Sequence, residues 1–433
     1  MMYRFVFPIF MAATFAAPAC ATSPSPKTIA ASTVLVSQAS LKTIPTPRIK
    51  PDLDAQSRRF TAWKADFKAR AIAKGYSASL VNSLIDPVRI NPLALERDKT
   101  QPEFTKPIWN YVELATNKAR LETGRSKLTE NARTLQEVES RYRVSQHVLT
   151  AIWGLETSYG RIMGDHDVPS ALATFAFEGR RTKFGEEQLF AVLDILQSRA
   201  VTRKQLIGSW AGAMGNTQFI PTTFRDYAVD FDGDSRKDLW ASKADALGSA
   251  AHYLSRSGWR YGEPTFAEVT LPANFDYALA NGSSRNIADW NARGVKPING
   301  QNWTQAALGL DTKLIIPAGA KGPAILTFKN FDVIKRYNNS TSYALGISML
   351  AESLAGRPVL QTPWPKSDKP VAFSDLKRMQ KKLTSLGYNT QGADGIIGPN
   401  TRKAIQAWQV TNGLPADGYI EAGMFKKIMN SAR

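Results

Sequence analysis

A mainly α-helical chain with a small β-containing subdomain and a separate C-terminal module of three short helices is what this 433-residue sequence predicts. Apolar residues recur at helical spacing along most of the chain up to Ser257. From Gly262 to Lys329 the pattern changes to short β-like runs separated by Gly, Asn and Pro. A stretch at 356–371 then carries four Pro and no apolar period, and helical spacing resumes after it. The boundaries read as 1–21, 22–54, 55–355, 356–371 and 372–433.

The first 21 residues place one Arg before a short apolar run ending in small residues, as a secretory signal does. Ala19-Cys20-Ala21 fits a cleavage site for a soluble exported protein. Cys20 also stands where a lipoprotein would be acylated at the outer membrane, so both forms stay open and the soluble periplasmic one is preferred. Residues 22–54 are rich in Ser, Thr, Pro, Ala and Lys and read as a disordered tether. Cys20 is the sole cysteine and there are three His, which excludes disulfides, thiolate metal sites and a His-rich zinc centre. The formal charge of +18 is spread along the chain. In an exported protein it favours an anionic surface over specific nucleic-acid reading.

Arg59–Ile85 predicts one or two helices. Glu103–Gly124, Leu128–Tyr142, Glu186–Ser198 and Ala244–Ser257 each predict one. Glu186 and Glu187 would favour the first turn of theirs. Phe266–Leu271, Lys313–Ile316 and Ala324–Phe328 predict strands. In the tail, Leu376, Met379, Leu383 and Leu386 mark one helix; Ala404, Ile405 and Trp408 a second; Met424, Phe425 and Ile428 a third. Asp394-Gly395 and Asp417-Gly418 are repeated turns between them.

Ser145–Gly160 carries the chemistry. Ser145 is an N-cap, Leu149, Ile152, Trp153 and Glu156 share one stripe, and Gly160 would end the helix. Removal from water and the C-terminal end of a helix both disfavour a charged Glu156, which makes it a proton donor. The alternative is a Glu that reaches solvent or pairs with Arg161. Ser209–Phe224 alternates Gly and Ala with Trp, Met and Phe, and includes Gln218. That composition suits a saccharide-binding lining or, equally, a tightly packed loop. Asp230, Asp232 and Asp234, the Arg236 main-chain oxygen and Asp238 follow the donor layout of an EF-hand loop. Gly stands at position four instead of six and Ala241 at twelve, so Asp245 would supply the late carboxylate. A bare Asp-rich turn is the competing reading; a structural Ca2+ is the expected occupant, with no organic cofactor. Tyr337, Asn338 and Tyr343 cluster before a helix, either as a polar aromatic site or as a capped helix start.

Two regions resemble known families. The tail, with L-x-x-x-Q-x-x-L-x-x-L-G-Y, A-D-G-I-I-G-P-N-T-R-K-A-I-Q-A-W-Q and L-P-A-D-G, resembles the type-one peptidoglycan-binding module. Residues 58–355 resemble the membrane-bound lytic murein transglycosylase B family through A-I-W-G-L-E-T-S-Y-G, S-W-A-G-A-M-G-N-T-Q-F-I-P, D-F-D-G-D-S-R-K-D-L-W and R-Y-N-N-S-T-S-Y-A. The resemblance implies a lysozyme-like catalytic domain with Glu156 as its one catalytic acid. It implies glycan contacts from Ser209, Gln218, Tyr253, Tyr337, Asn338 and Tyr343. It also implies calcium ligands at Asp230, Asp232, Asp234, the Arg236 carbonyl and Asp245. The implied reaction cleaves the β-1,4 bond of peptidoglycan without water, leaving 1,6-anhydromuramyl ends, by a monomer bound to glycan strands. A hydrolytic muramidase and a non-catalytic wall-binding protein are the rival expectations.

Overall fold

The computed structural model describes residues 51–99 and 107–432. The signal, Cys20 and most of the tether lie outside those residues. The helices α1 (Pro51–Ala73), α2 (Ala78–Ile85) and α3 (Pro92–Lys99) come first, so 51–54, read above as tether, are helical. Next are α4 (Ile108–Ala115), α5 (Lys118–Glu130), α6 (Ala132–Tyr142) and α7 (Gln146–Thr157). The two continuous helices expected over 103–124 and 128–142 are therefore broken, at Thr116-Asn117 and at Asn131. The Asn117 side chain caps α5 by accepting from the Arg120 N–H at 2.9 Å, an alternative to helical bonding that Asn side chains offer.

After α7 come β1 (His166–Asp167), α8 (Val168–Phe177), α9 (Thr182–Gln197), β2 (Ile207–Gly208), α10 (Pro221–Tyr227) and α11 (Lys243–Arg256). Helix α9 starts at Thr182, so Glu186 and Glu187 lie one turn inside it; Glu186 pairs with Arg70 of α1. The subdomain follows as β3 (Phe266–Thr270), β4 (Arg285–Asn286), α12 (Ile287–Ala292), β5 (Lys296–Pro297), β6 (Asp311–Ile315) and β7 (Ala324–Thr327). Its antiparallel sheet has the order β4-β6-β7-β3-β5, with Phe266 opposite Thr327 and Leu314 opposite Leu326. The three expected strands are β3, β6 and β7. Then come α13 (Lys329–Tyr337), α14 (Thr341–Leu354) and the module helices α15 (Phe373–Ser385), α16 (Pro399–Thr411) and α17 (Ala422–Asn430).

Two apolar cores make up the helical body. One gathers Phe67, Leu84, Leu172, Phe175, Leu189 and Phe219 from the α1, α2, α8 and α9 side. The other gathers Leu135, Leu149, Trp153, Leu254, Phe331 and Leu350 from the α6, α7, α11, α13 and α14 side. Tyr253 and Tyr337 pack against both, so they mark the seam. Clefts at such seams are common places for ligand sites.

The stretch read as a linker is strapped to the body. Buried Glu268 of β3 accepts from the Gln361 N–H at 2.5 Å and the Thr362 N–H at 2.8 Å. Trp364 packs against Trp109 with ring centroids 6.2 Å apart. Beyond it, Asp417 of the module accepts from the Ala320 N–H at 2.8 Å, over the turn between β6 and β7.

Candidate active site

Helix α7 is buried on every side from Val148 to Leu155, a pattern that belongs to a helix inside a core. Ser145 caps its start by accepting from the His147 N–H at 3.3 Å. Its end differs from the sequence expectation. The last helical residue is Thr157, and Ser158, Tyr159 and Gly160 have φ of 50°, 63° and 84°. Three consecutive left-handed residues, two of them not Gly, are costly and persist only where packing enforces them. The enforcement is visible. The Tyr159 hydroxyl donates to the Arg120 carbonyl at 2.9 Å, and its ring lies over Gly154, where a Cβ would come within 2.6 Å of Cζ.

This sharp exit leaves Glu156 at the seam. Its side chain is half-buried and receives a 2.6 Å hydrogen bond from the Tyr343 hydroxyl on Oε1. Burial pushes its carboxyl up to about 8, while the Tyr343 bond pulls it back in part. It makes no ion pair among the described residues, and Arg161 is exposed. Tyr343 is buried, as is most of the wall around the acid. Burial raises the Tyr337 hydroxyl far above its ordinary value, with the nearby Glu156 charge adding to it.

Tyr337 and Asn338 close α13, Tyr343 opens α14, and Ser340 caps α14 through the Tyr343 N–H at 3.3 Å. The segment is a capped helix start, and it sets the Tyr343 hydroxyl against the Glu156 carboxyl. The Tyr337 hydroxyl donates to the Thr217 carbonyl. Tyr253 meets Tyr337 edge-to-face with centroids 5.4 Å apart, and its hydroxyl donates to the Arg336 carbonyl at 2.8 Å. Asn338 is buried, and its Oδ1 has no partner among the described residues.

The Gly-rich stretch is a tightly packed loop. Buried Ser209 accepts from the Ala213 N–H at 3.0 Å within the loop itself. Gln218, at φ 53°, donates to the Met163 carbonyl at 3.2 Å and the Gly215 carbonyl at 2.9 Å. Its amide nitrogen therefore braces the segment after α7 against this loop. Among the described residues the Ser209 side chain bonds within its own loop and makes no hydrogen bond to the acid or the tyrosines.

Sequence reasoning missed Asn216. This fully buried side chain accepts from Trp153 Nε1 at 3.0 Å. It donates to the carbonyls of Leu239 at 2.9 Å and Trp240 at 2.8 Å. Its own carbonyl accepts from Thr157 Oγ1 at 2.8 Å. One amide thus joins the helix of the acid, the Gly-rich loop and the exit of the Asp loop. The signal available was a polar residue after Gly215, where a Cβ would meet Leu239 at 2.6 Å.

Asp230, Asp232, Asp234 and Asp245 converge, each with a carboxylate oxygen within 4.8 Å of the others. Backbone amides hold them there. Asp230 accepts from Gly233 at 2.7 Å and Ser235 at 2.8 Å, and buried Asp245 accepts from Phe231 at 2.7 Å and Asp238 at 2.8 Å. Four carboxylates so placed form an all-oxygen donor set that fits a hard divalent cation. Asp238 turns away, accepting from the Trp240 and Ala241 N–H groups at 2.8 Å each.

A half-buried acid between two helical lobes, with an acidic loop buttressing its helix, defines a lysozyme-like helical enzyme fold. The transglycosylase SLT domain family matches residues 59–352, and a peptidoglycan binding domain matches 374–428. The chain belongs to the transglycosylase SLT family. It is 35% identical over 219 residues to membrane-bound lytic murein transglycosylase B of Escherichia coli, covering 49% of this chain and 58% of that protein's length. SltB3 of Pseudomonas aeruginosa, solved with NAG-anhNAM-pentapeptide, is 44% identical with a TM-score of 0.82, over 86% of this chain and 99% of that one. Slt35 of Escherichia coli, solved with calcium, is 26% identical with a TM-score of 0.59, over 67% of this chain and 92% of that one.

Proposed function

We propose that this protein is a lytic murein transglycosylase that cleaves the β-1,4 bond between N-acetylmuramic acid and N-acetylglucosamine with Glu156 as its single acid and base. The observation that carries this reading is a lone carboxyl raised to about 8 at the seam of the two lobes. Most glycosidases need a second carboxylate as nucleophile or base. Here Tyr343 is the one side chain hydrogen-bonded to the acid among the described residues. The substrate's 2-acetamido oxygen fills the missing role. Glu156 protonates the leaving glycosidic oxygen while that acetamido oxygen closes on C1. The resulting carboxylate then takes the proton of the muramyl 6-hydroxyl, O6 bonds to C1, and the acetamido oxygen leaves. The acid ends protonated, no water is consumed, and the product carries a 1,6-anhydro ring.

Tyr343 orients the acid. Tyr253, Tyr337, Asn338 and Gln218 wall the cleft, the unpartnered Asn338 Oδ1 suiting an acetamido N–H. Ser209 supports the same loop. Asp230, Asp232, Asp234 and Asp245, with the Arg236 carbonyl, would hold Ca2+, which would fix the loop that Asn216 ties to α7. SltB3, solved with an anhydromuropeptide, and Slt35, solved with calcium, support these readings. The work place is the periplasmic wall, reached by the N-terminal signal. No helix among the described residues is long and apolar enough to cross a membrane.

Mass spectrometry of the products from purified sacculi tests the reaction. Anhydromuramyl ends are expected; products heavier by one water would assign a hydrolytic muramidase, and intact sacculi a wall-binding protein.

A further inference from the structure

The sheet subdomain meets the helical body over a cavity of about 440 Å³ that the reaction proposed above does not use. Its aromatic lining comes from both sides. Phe266 of β3 packs against the second helical core, Trp303 packs against the core of the sheet, and buried Phe328 stands between β7 and α13. The volume lies within the range of about 300–1,000 Å³ of small-molecule sites, which favour the junction of two structural units.

The mouth is formed by the loop between β5 and β6, and that loop is fixed at both ends. The Ile298 N–H donates to the Glu268 carbonyl of β3 at 3.0 Å, and Trp303 Nε1 donates to the Val295 carbonyl at 3.2 Å. Further on, the Ala288 and Ile287 N–H groups of α12 donate to the Leu308 and Leu310 carbonyls at 3.0 Å each. The indole is therefore held in place beforehand, which lowers the ordering cost of binding. The amides of Asn299, Gln301 and Asn302 complete the lining and are exposed. Asn299 Oδ1 accepts the Gln301 N–H at 3.1 Å, and the Gln301 and Asn302 side chains make no hydrogen bond among the described residues. No charged side chain lines the cavity, in a chain with 55 Lys and Arg and 37 Asp and Glu.

We propose that this cavity is an accessory saccharide site for an N-acetylated sugar of the glycan strand, with Trp303 against the apolar face of the sugar and the Gln301 and Asn302 amides on its hydroxyl and acetamido groups. Fixed aromatic rings beside free planar amides suit a neutral ligand that has one apolar face and a polar edge. An acyl chain would leave the amides unpaired, and an acidic peptide would bring a charge with no counter-charge. Phe328 precedes the nine-residue α13, and Tyr337 at its other end walls the cleft, about 13 Å away at 1.5 Å per residue. One strand can span both places, so the site holds the polymer while the acid acts on a bond further along. The inference rests on the reading of this protein as an enzyme of the peptidoglycan glycan.

The test uses the full-length Glu156→Gln protein, which leaves the sugar intact, carrying isotope-labelled tryptophan. An N-acetylglucosamine hexamer and, separately, the free stem pentapeptide are titrated in while the indole N–H resonance of Trp303 is followed, identified by its loss in Trp303→Phe. The hexamer is expected to shift that resonance saturably and the pentapeptide to leave it unmoved. Gln301→Ala combined with Asn302→Ala removes two exposed amides without internal partners, so the thermal midpoint is expected to hold. The hexamer's affinity read at Trp303 is expected to fall about tenfold, the loss for two neutral hydrogen bonds. An unmoved Trp303 resonance, an undiminished response in the double variant (as binding in the cleft alone would give), or a shift caused by the pentapeptide would each overturn the proposal. Anhydro products from the wild-type protein test the enzymatic reading separately, and an unmoved Trp303 beside such products would sink this site alone.

Discussion

Glu156 owes its chemistry to one side chain's surroundings. Burial raises the carboxyl to about 8, against about 4.3 for an ordinary glutamate. The unfolded chain loses this proton near the lower value and the folded chain keeps it until the higher one. Between them the folded state binds more protons, so stability falls as pH rises through that window. Glu156→Gln removes the slope. Its denaturant midpoint is expected to gain on the wild type from pH 5 to pH 8.5; a constant difference would mean the acid is not buried when folded. The same variant is expected to lose about 10²–10⁴-fold in turnover on sacculi, the range for a general acid. In the wild type the rate is expected to fall as pH passes about 8, where the proposed acid would be spent. Tyr343→Phe removes a bond that favours the carboxylate. It should move that basic limb to higher pH and cut turnover about tenfold, for a lost bond of about 1–2 kcal/mol. An unmoved limb in a pH–rate profile would assign Tyr343 to packing alone.

The elements around the acid are joined by polar groups that periodicity does not reveal. Asn216 ties α7, the Gly-rich loop and the Asp loop through four hydrogen bonds of side chain and carbonyl. Asn216→Ala leaves buried Trp153 Nε1 and the Trp240 carbonyl unpaired, while the Leu239 carbonyl keeps the backbone N–H of residue 216 at 2.8 Å. It is expected to cost about 2–4 kcal/mol in urea unfolding, because buried unmade bonds carry their full desolvation cost. The Asp loop gathers four carboxylates that repel one another until a cation joins them. Calcium is therefore expected to raise the thermal midpoint, by about 2.7 kcal/mol of stability at a hundredfold excess over Kd, and a chelator to reverse it. Asp234 is exposed, and its carboxylate accepts from the Arg236 N–H at 2.9 Å. Asp234→Asn should blunt the calcium response and leave the metal-free midpoint nearly unchanged. A midpoint indifferent to calcium in the wild type would return the loop to a bare acidic turn.

At the scale of the whole molecule, the Pro-rich stretch works as a strap, because Glu268 and Trp109 hold it. A chain cut after Gly356 would lose the donors of a buried carboxylate as well as the module. A chain ending at Pro370 keeps the strap. It is expected to cut soluble muropeptides at near the full-length rate while binding sacculi several-fold less, since the second attachment point is gone. Equal pelleting of both forms with sacculi would show that the module does not hold the wall.

The sequence alone determined the helical character, the three sheet runs, the three-helix tail, Glu156 on its apolar stripe and the Asp spacing. All of these are local: they depend on periodicity, turn residues and short-range charge repulsion. It placed the breaks at Thr116-Asn117 and Asn131 inside continuous helices, because a single Asn changes the mean pattern little. The three left-handed residues after α7, the Asn216 junction, the Tyr343 bond and the strap on Glu268 were decided by tertiary structure. Each joins groups far apart in the chain, and a buried donor or acceptor finds its partner only when folding brings the two surfaces together.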